Sequence, residues 1–316
     1  MSMLSYVIPC YRSEKTIRGV VAEIDDTLAK RPGDDYEIIL VNDCSPDGTW
    51  QVLHALSEEN SRVIAINLAR NFGQHAALMA GLRQSRGDIV ICLDDDGQTP
   101  ADESPKLIEK IAEGYDLVYA AYDSKKQSGF RNFGSAVNSR MTEQMLGKPK
   151  DLVVNSYFAA RRFIVEEMVR YQNCYPYVLG LALRSTRNIC NVPVHHRARV
   201  EGKSGYTLGK LISLWLNGFT SFSIKPLRFA AYAGFASSVI GLIYGIYVLI
   251  HRLLVPEVPS GWSSTMIIIL LLGGLILVVL GLIGEYLGRI YMCLNAQPQY
   301  IIRDVEKEGK PWKDRE

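Results

Sequence analysis

Three consecutive carboxylates, Asp94, Asp95 and Asp96, come directly after a short apolar run in the sequence ICLDDDGQTP. Adjacent like charges repel one another, and the end of a buried strand solvates them poorly. Carboxylate oxygens with an amide oxygen nearby, at Gln98, are hard ligands suited to Mg²⁺ or Mn²⁺. Such a cation would relieve the repulsion and bridge the diphosphate of a nucleotide. The alternative is a solvated acidic turn in which one aspartate caps the next helix.

Strand-like and helical patterns alternate from the N-terminus to about residue 200. The apolar strand-like runs are Ser5–Ile8, Glu37–Val41, Val63–Asn67, Ile89–Leu93 and Leu117–Ala120. The helical patterns lie around Lys15–Lys30, Thr49–Glu59, Gln74–Ser85 and Asp102–Glu113. This alternation predicts an α/β domain with a mainly parallel sheet.

Polar clusters follow each of the first four predicted strands. In chain order they are PCY, NDCSPDGT, ARNFGQ and DDDGQ. Ligands of parallel sheets bind at the carboxyl ends of the strands, so we expect the four clusters to form one site. The sequence has no P-loop and no GxGxxG, so neither simple nucleotide fingerprint accounts for the clusters.

Two uncharged apolar segments, Phe229–Ile250 and Met266–Gly284, are each about 20 residues long, which is enough for a helix to cross a bilayer. Arg252 is the only Lys or Arg between them, whereas basic residues flank their outer ends. The two segments are therefore predicted to span the membrane. The positive-inside rule predicts that both termini and the N-terminal domain lie in the cytoplasm. The alternative is a pair of buried core helices.

Apolar residues before the first span recur at spacings of three and four, from Leu208 to Phe222. They predict an amphipathic helix at the bilayer interface, or a soluble helix packed on the domain. The predicted division of the chain is a catalytic domain at 1–205, an interfacial helix at 206–228, spans at 229–252 and 264–288, and a tail at 289–316. The mixed-charge end of that tail, VEKEGKPWKDRE, is predicted to be solvated and partly flexible.

Composition narrows the possible partners. A formal net charge of +2 argues against a nucleic-acid-binding protein, which usually carries clustered basic residues. The six cysteines are widely spaced and include no metal-binding pair, which is typical of a reducing compartment. The N-terminus runs straight into a strand, so no signal peptide is expected.

The motifs, in chain order, resemble family 2 of the inverting glycosyltransferases. The matching stretches are YVIPCYRSEKTI, VNDCSPDGT, LARNFGQHAALMAG, LDDDGQTPADE, VHHRARVEGKSGYTLGKLI and LIGEYLGRIY. The match is closest to the branch that loads sugars onto polyprenyl phosphates, which includes dolichol-phosphate mannose synthase and the undecaprenyl-phosphate glycosyltransferases. In VNDCSPDGT, Asn42 replaces the first Asp of the usual DDGSxDGT.

The resemblance implies a GT-A, Rossmann-like domain that takes a nucleotide-sugar donor and a polyprenyl-phosphate acceptor. The two-span form implies a bacterial inner membrane, and therefore undecaprenyl rather than dolichyl phosphate. Relatives of this form also suggest a homotetramer. The product would be a lipid-linked sugar for modifying an envelope glycan or lipid.

The resemblance also implies a role for each matching residue. The donor nucleotide would be bound by Pro9, Tyr11, Glu14, Asp43, Asp94 and Asp95, with Asp43 on the base or ribose and Asp94 on the ribose or sugar. Asp96 and Gln98 would hold the metal. The loop that closes over the diphosphate would contribute Arg199, Lys203, Ser204 and Tyr206. The acceptor phosphate would meet Arg131, together with Ser135 or Arg140.

The sequence departs from the family where relatives carry an Asp often called the base. An ungapped match places Leu152 at that position, with Asp151 adjacent to it. A phosphate monoester has a second pKa of about 6 and is already a nucleophile at neutral pH, so we favour Asp151 as a positioning group. The predicted reaction is a single in-line displacement at the anomeric carbon, with charge stabilised by Arg131 and by the metal at Asp96.

Three other functions are weighed against this one. A processive polysaccharide synthase would carry a QxxRW motif and more membrane spans, and the sequence shows neither. Nucleotidyl transfer would need a triphosphate-binding Gly/Arg loop, which the sequence also does not show. Loss of the usual Asp permits a non-catalytic membrane scaffold for a glycan-modification complex.

His75, in NFGQHAA, is either structural or in contact with the donor.

Overall fold

The structure is a computed structural model of the chain and describes residues 2–31, 33–122, 149, 152–195, 197, 225–254, 261–295 and 297–312. The chain forms two compact units. One unit comprises Met1–Thr207 together with Pro298–Glu316, and the other comprises Leu208–Gln297.

The first unit is built on a sheet that has nine strands within the described residues. They are β1 (Met3–Cys10), β2 (Asp35–Asn42), β3 (Val63–Leu68), β4 (Ile89–Cys92), β5 (Leu117–Tyr122), β6 (Phe158–Arg161), β7 (Ile189–Val194), β8 (Ile302–Lys307) and β9 (Lys310–Pro311). Their order in the sheet is β7-β5-β6-β4-β1-β2-β3-β8-β9. Strands β1 to β5 and β7 point the same way, while β6 and β8 run antiparallel to their neighbours.

Helices connect the strands and cover both faces of the sheet. They are α1 (Ile17–Ala29), α2 (Thr49–Glu59), α3 (Gln74–Gln84), α4 (Ser104–Ala112), α5 (Arg162–Val169) and α6 (Val178–Ser185). Apolar residues of α1, α2 and α4 pack with Leu4, Tyr6 and Ile8 of β1 in one core cluster. Because side chains alternate along a strand, Val7 points to the opposite face, where α3 packs.

Gly81 lets α3 approach the sheet closely. A Cβ atom at this position would overlap Cγ1 of Val7 and lie 3.1 Å from Cγ2 of Val41. The glycine therefore sets how closely α3 lies against β1 and β2. The same helix begins at Gln74, at the carboxyl ends of the strands, so its packing helps to place the residues at its first turn.

The predicted elements agree with the structure apart from their ends. Helix α2 has the predicted bounds, and β1 and β2 extend beyond theirs by a few residues. The predicted helix at 102–113 begins as a 3₁₀ turn, Ala101–Glu103, before α4. Strand β6, which was not predicted, lies between β4 and β5.

The prediction of a solvated, partly flexible end at residues 305–316 is wrong for residues 305–311, which include part of β8 and all of β9. Strand β8 pairs antiparallel with β3, and β9 pairs with β8. Glu306, in the segment predicted to be solvated, contacts His54, and Asp304, just before that segment, accepts a hydrogen bond from Asn67. The catalytic domain therefore consists of two separate stretches of the chain.

The second unit contains two long apolar helices, α7 (Lys225–Leu254) and α8 (Trp262–Leu294). Both predicted spans lie inside these helices. Each is long and apolar enough to cross a membrane, with the most hydropathic windows at Ala230–Tyr247 and Leu271–Leu294. The predicted interfacial segment around 208–222 lies outside the described residues.

Ending the chain at residue 296 removes β8 and β9 and leaves β3 as an exposed edge. We expect the midpoint of thermal unfolding in detergent to fall by roughly 5–10 °C. Each lost backbone hydrogen bond is worth about 1 kcal/mol, and 1 kcal/mol corresponds to about 2–4 °C for a domain of this size. A chain that ends at residue 312 keeps both strands and is the matched control. Equal midpoints for the two chains would contradict a stabilising role for the C-terminal strands.

Candidate active site

Four loops come together at the carboxyl edge of the sheet. Strands β4, β1, β2 and β3 are neighbours that run in parallel, so the segments after them emerge side by side. These segments contain the four polar clusters singled out in the sequence. The prediction that the clusters share one edge of the sheet is confirmed.

The three aspartates after β4 accept hydrogen bonds from different parts of the protein. The Asp94 carboxylate accepts from Gln74 Nε2 at 2.9 Å and from Ser156 Oγ at 2.5 Å. Asp95 Oδ2 accepts from the backbone N–H of Tyr11 at 3.0 Å and from the hydroxyl of Ser13. Two of the three adjacent charges are therefore compensated by donors from α3, the loop after β1 and the segment before β6.

Asp96 accepts a hydrogen bond from within its own turn. Its Oδ1 accepts the backbone N–H of Gln98 at 3.0 Å. Gly97, between them, has a φ of 71°, in the left-handed region that favours glycine. Asp96 and Gln98 lie in the same turn, and their role as a pair of metal ligands stays a prediction.

Burial and mutual repulsion raise the pKa values of Asp94 and Asp95. The pKa of Asp94 is raised to about 6, chiefly by burial and also by the charges of Asp95 and Asp96, while the hydrogen bonds from Ser156 and Gln74 oppose the rise. Burial also raises the pKa of Asp95, against the hydrogen bonds from Ser13 and Tyr11. The cluster therefore favours a cation nearby.

The loops after β1 and β2 are joined to each other. Glu14 Oε2 accepts the N–H of Gly48 at 2.7 Å, and Ser45 Oγ accepts the N–H of Arg12 at 2.7 Å. Arg12 and Cys44 have φ values of 60° and 49°, which are uncommon for residues other than glycine. Such backbone conformations cost of order 1–3 kcal/mol and cluster at functional sites.

Asp43 fastens the loop after β3. Its carboxylate is buried and accepts the N–H groups of Phe72 at 2.7 Å and Gly73 at 2.8 Å. Burial raises its pKa despite these two donors. Gly73 has a φ of 91°, so the loop takes a conformation that a glycine allows. Contact between Asp43 and the base or ribose stays a prediction.

Tyr11 and Pro9, both predicted at the nucleotide, lie in different environments. The Tyr11 ring is 45 % exposed, with the Arg12 guanidinium 5.6 Å from its centre. It offers an aromatic face at the edge of the site. Pro9 is buried within β1 and pairs with Val41, so its position does not support direct contact with a nucleotide.

The remaining predicted site residues lie outside the described residues, and the roles assigned to them stay predictions. They are Arg131, Ser135, Arg140, Asp151, Arg199, Lys203, Ser204 and Tyr206. Leu152, which occupies the position of the family's usual Asp, is buried.

Ser13, Gln74 and Ser156 belong to the site although they were not predicted as site residues. Each donates to one of the aspartates after β4. Gln74 is the last residue of one of the polar clusters, which is the signal that could have indicated it. Ser13 lies within the first motif, and Ser156 lies a few residues after Asp151.

The residues at this edge fit a divalent cation that is shared with a substrate. The described residues contain no group of three or more His, Cys, Asp or Glu side chains arranged to enclose a metal. Mg²⁺ is commonly bound by one or two carboxylates together with substrate phosphates and water. Asp96 and the Gln98 amide form a small oxygen-donor set of that kind.

The fold and this cluster of strand-end loops define a glycosyltransferase with a GT-A-like domain. The profile of glycosyl transferase family 2 matches residues 5–169, and that of the GtrB C-terminal hairpin matches residues 225–290. This chain belongs to glycosyl transferase family 2.

Two relatives match nearly the whole chain. An undecaprenyl-phosphate 4-deoxy-4-formamido-L-arabinose transferase of Yersinia pestis bv. Antiqua (strain Angola) is 36 % identical over 96 % of this chain and 93 % of its own. The transferase of the same description from Pseudomonas paraeruginosa (strain DSM 24068 / PA7) is 32 % identical over 96 % of this chain and 91 % of its own.

Among solved structures, mannosyl-3-phosphoglycerate synthase from Rubrobacter xylanophilus is similar in fold. It matches with a TM-score of 0.55 and 18 % identity, over 73 % of this chain and 75 % of its own. The predicted fold class is confirmed.

Gln74→Glu would replace a hydrogen-bond donor to Asp94 with a fourth carboxylate. We expect a midpoint of thermal unfolding lower by roughly 2–6 °C. The group that donates to Asp94 is replaced by a carboxylate that repels it, which costs about 1–2 kcal/mol. An acid in the first turn of a helix is normally stabilising, so the loss would report on Asp94 specifically. Gln51→Glu, at an exposed position early in α2, is the matched control. A Gln74→Glu midpoint equal to that of the control would contradict the Gln74–Asp94 contact.

His75 makes stability depend on pH. Its Nδ1 is buried without a hydrogen-bond partner among the described residues, its ring packs edge-on against Tyr177, and burial lowers its pKa to about 4. The unfolded value is about 6.5, so between these values the unfolded chain binds more protons and stability falls as the pH is lowered. From pH 7.5 to pH 5 we expect a loss of about 2 kcal/mol.

His75→Phe keeps the ring contact and removes the titration. The thermal midpoint of this variant should fall less than that of the wild type between pH 7.5 and pH 5, by roughly 4–8 °C. Parallel pH profiles for the two proteins would show that His75 is not buried in its neutral form.

Proposed function

We propose that this chain transfers a sugar from a nucleotide-diphospho-sugar to undecaprenyl phosphate, with inversion at the anomeric carbon. The observation that carries this proposal is the extent of the similarity to undecaprenyl-phosphate sugar transferases. That similarity includes both the strand-end site and the helical hairpin, over 96 % of the chain. The product would be a lipid-linked sugar for modifying an envelope glycan or lipid.

The path of the chain supports a site at the cytoplasmic face of a bacterial inner membrane. The chain leaves the first unit, passes through α7 and α8, and returns to the sheet as β8 after a short connection. Two crossings bring a chain back to the side on which it started. Lys225, Arg228, Arg289 and Arg303 flank the outer ends of the helices, which favours the cytoplasm for that side.

The reaction proposed is one displacement. An oxygen of the lipid phosphate attacks the anomeric carbon as the bond from that carbon to the donor diphosphate breaks. The nucleoside diphosphate leaves with the bonding electrons, and the configuration inverts. The acceptor phosphate is largely dianionic at neutral pH and needs little help from a base, so Asp151 is proposed to position it rather than to deprotonate it.

Asp94, Asp95 and Asp43 are proposed to have different roles in binding the donor. Asp94 is oriented by Gln74 and Ser156, which occupy only part of its lone pairs, so it can still accept a hydroxyl of the ribose or sugar. Asp95 holds the loop that carries Tyr11, whose exposed ring suits a nucleobase. Asp43 holds the loop that begins α3 beside Asp94.

Asp96 and Gln98 would hold Mg²⁺ or Mn²⁺, which when bound neutralises charge on the donor diphosphate. Arg131, with Ser135 or Arg140, is proposed to meet the acceptor phosphate. Arg199, Lys203, Ser204 and Tyr206 are proposed to close over the diphosphate. Guanidinium and ammonium groups suit phosphate oxygens. The chain is also proposed to form a homo-oligomer, for which the resemblance suggests a tetramer.

Asp96→Asn tests the proposed site most cleanly. The amide oxygen can still accept the N–H of Gln98, so the turn should persist while the charge is lost. We expect a thermal midpoint that does not fall, because the change removes a charge that repels Asp94 and Asp95, and a loss of activity of roughly 100-fold or more. Asp26→Asn, on the exposed surface of α1, is the matched control and should keep full activity.

The assay combines the purified full chain with undecaprenyl phosphate, Mg²⁺ or Mn²⁺ and a panel of nucleotide sugars. The panel includes a nucleotide-activated 4-deoxy-4-formamido-L-arabinose, and glycosylated lipid is detected by mass spectrometry. A metal-dependent product that Asp96→Asn loses would support the proposal. No product with any donor, together with no binding of a nucleoside diphosphate, would overturn it in favour of a membrane scaffold.

A further inference from the structure

A line of side-chain hydrogen bonds runs from the C-terminal strand to the loop after β2. Asp304 Oδ2, in β8, accepts from Asn67 Nδ2 at 3.1 Å. Asn67 Oδ1 accepts from Asn42 Nδ2 at 2.8 Å. Asn42 Oδ1 accepts the backbone N–H of Ser45 at 3.1 Å. Both asparagines are buried, so the line passes through the interior of the sheet.

The chemistry of the two ends fixes the direction of every bond in this line. The backbone N–H of Ser45 can only donate, so the atom of Asn42 that faces it is the oxygen. The Asn42 amino group then faces Asn67, which must offer its own oxygen. The amino group of Asn67 is left to face Asp304, whose carboxylate accepts.

The loop at the end of this line is part of the donor site. Ser45 Oγ accepts the N–H of Arg12, next to Tyr11, and donates to Asp47 Oδ1 at 2.5 Å. The preceding residue, Cys44, is held at a φ of 49°. Such a conformation persists when its surroundings fix it, and the bond from Ser45 to Asn42 spans it directly.

We propose that Asp304 and Asn42 are positioning residues that hold the loop after β2 ready for the donor. Strand β8 follows the helical hairpin in the chain, so the segment that returns from α8 braces the nucleotide loop through Asn67. This inference rests on the proposed function for its kinetic readout. The inference also explains why residue 42 is Asn where the family usually has Asp. If residues 42 and 304 were both carboxylates, the amino group of Asn67 could donate to only one of them. The Asn67 oxygen would then face the other carboxylate, and two acceptors would be in contact.

The test is a double-mutant cycle in the full-length chain, with Asn42→Asp, Asp304→Asn and the two changes together. Asn42→Asp should raise the KM for the donor roughly 10-fold, because one acceptor then faces another, with little change in kcat. Asp304→Asn should raise it about 2- to 3-fold, since an amide oxygen can replace the carboxylate as a weaker acceptor. In the double variant, the bonds of Asn67 to residues 42 and 304 can both reverse direction, while the Ser45 N–H still donates to residue 42. Its KM should return to within about 3-fold of wild type.

Hydrogen exchange of residues 43–48 gives a readout that does not depend on the sugar. These amides should exchange faster in Asn42→Asp and recover in the double variant. Asp26→Asn, which makes the same exchange of carboxylate for amide elsewhere, should change neither readout. A double variant as impaired as Asn42→Asp in both readouts would overturn the inference.

Two further outcomes separate this inference from the proposed function. Turnover by wild type with no rescue in the double variant would overturn the inference alone. No turnover by wild type, with loop exchange that still follows the cycle, would support the line of hydrogen bonds while the proposed function fails.

Discussion

The constraint on which the site depends is the repulsion among three adjacent carboxylates at the end of β4. A buried strand end cannot leave them to water, so the protein supplies donors from elsewhere in the chain. Gln74 and Ser156 serve Asp94, while Tyr11 and Ser13 serve Asp95. Each pairing also fixes the donor segment in place. The charges that would repel one another thus tie together α3, the loop after β1 and the segment before β6.

Asp96 is the carboxylate proposed to bind the cation. Its Oδ1 accepts the backbone N–H of Gln98, the other proposed ligand, within one turn. A cation shared with a diphosphate needs only a small protein ligand set. The same edge of the sheet offers an exposed Tyr11 ring and loops held in uncommon backbone conformations at Arg12 and Cys44. These features suit a site that binds a charged nucleotide substrate.

The sequence was sufficient to predict the first five strands and the meeting of their loops. Apolar strands separated by amphipathic helices have a strong periodic signal, and the carboxyl ends of parallel strands necessarily share an edge. The sequence could not predict β6, a four-residue strand whose antiparallel partners lie far away in the chain. It also could not show that Asp94 and Asp95 accept hydrogen bonds from protein donors, because that depends on long-range contacts with Ser156 and Ser13.

The C-terminal strands show why charge composition misled the prediction of a flexible tail. Glu306 belongs to the mixed-charge end predicted to be solvated, yet it contacts His54 on the sheet domain, and Asp304, just before that end, is bound by Asn67. Their return after α8 makes the catalytic unit depend on a segment that lies beyond the hairpin. Asn42, read in the sequence only as a departure from a motif, becomes part of the connection between that segment and the donor loop.

In the proposed site, protein donors hold Asp94 and Asp95, while Asp96 and Gln98 share a cation with the donor diphosphate. Electron paramagnetic resonance of Mn²⁺ with the full chain and UDP or GDP can detect this cation. We expect bound Mn²⁺ with hyperfine coupling to the phosphorus nuclei of the nucleotide. Nucleotide bound without Mn²⁺, or Mn²⁺ bound without phosphorus coupling, would contradict it.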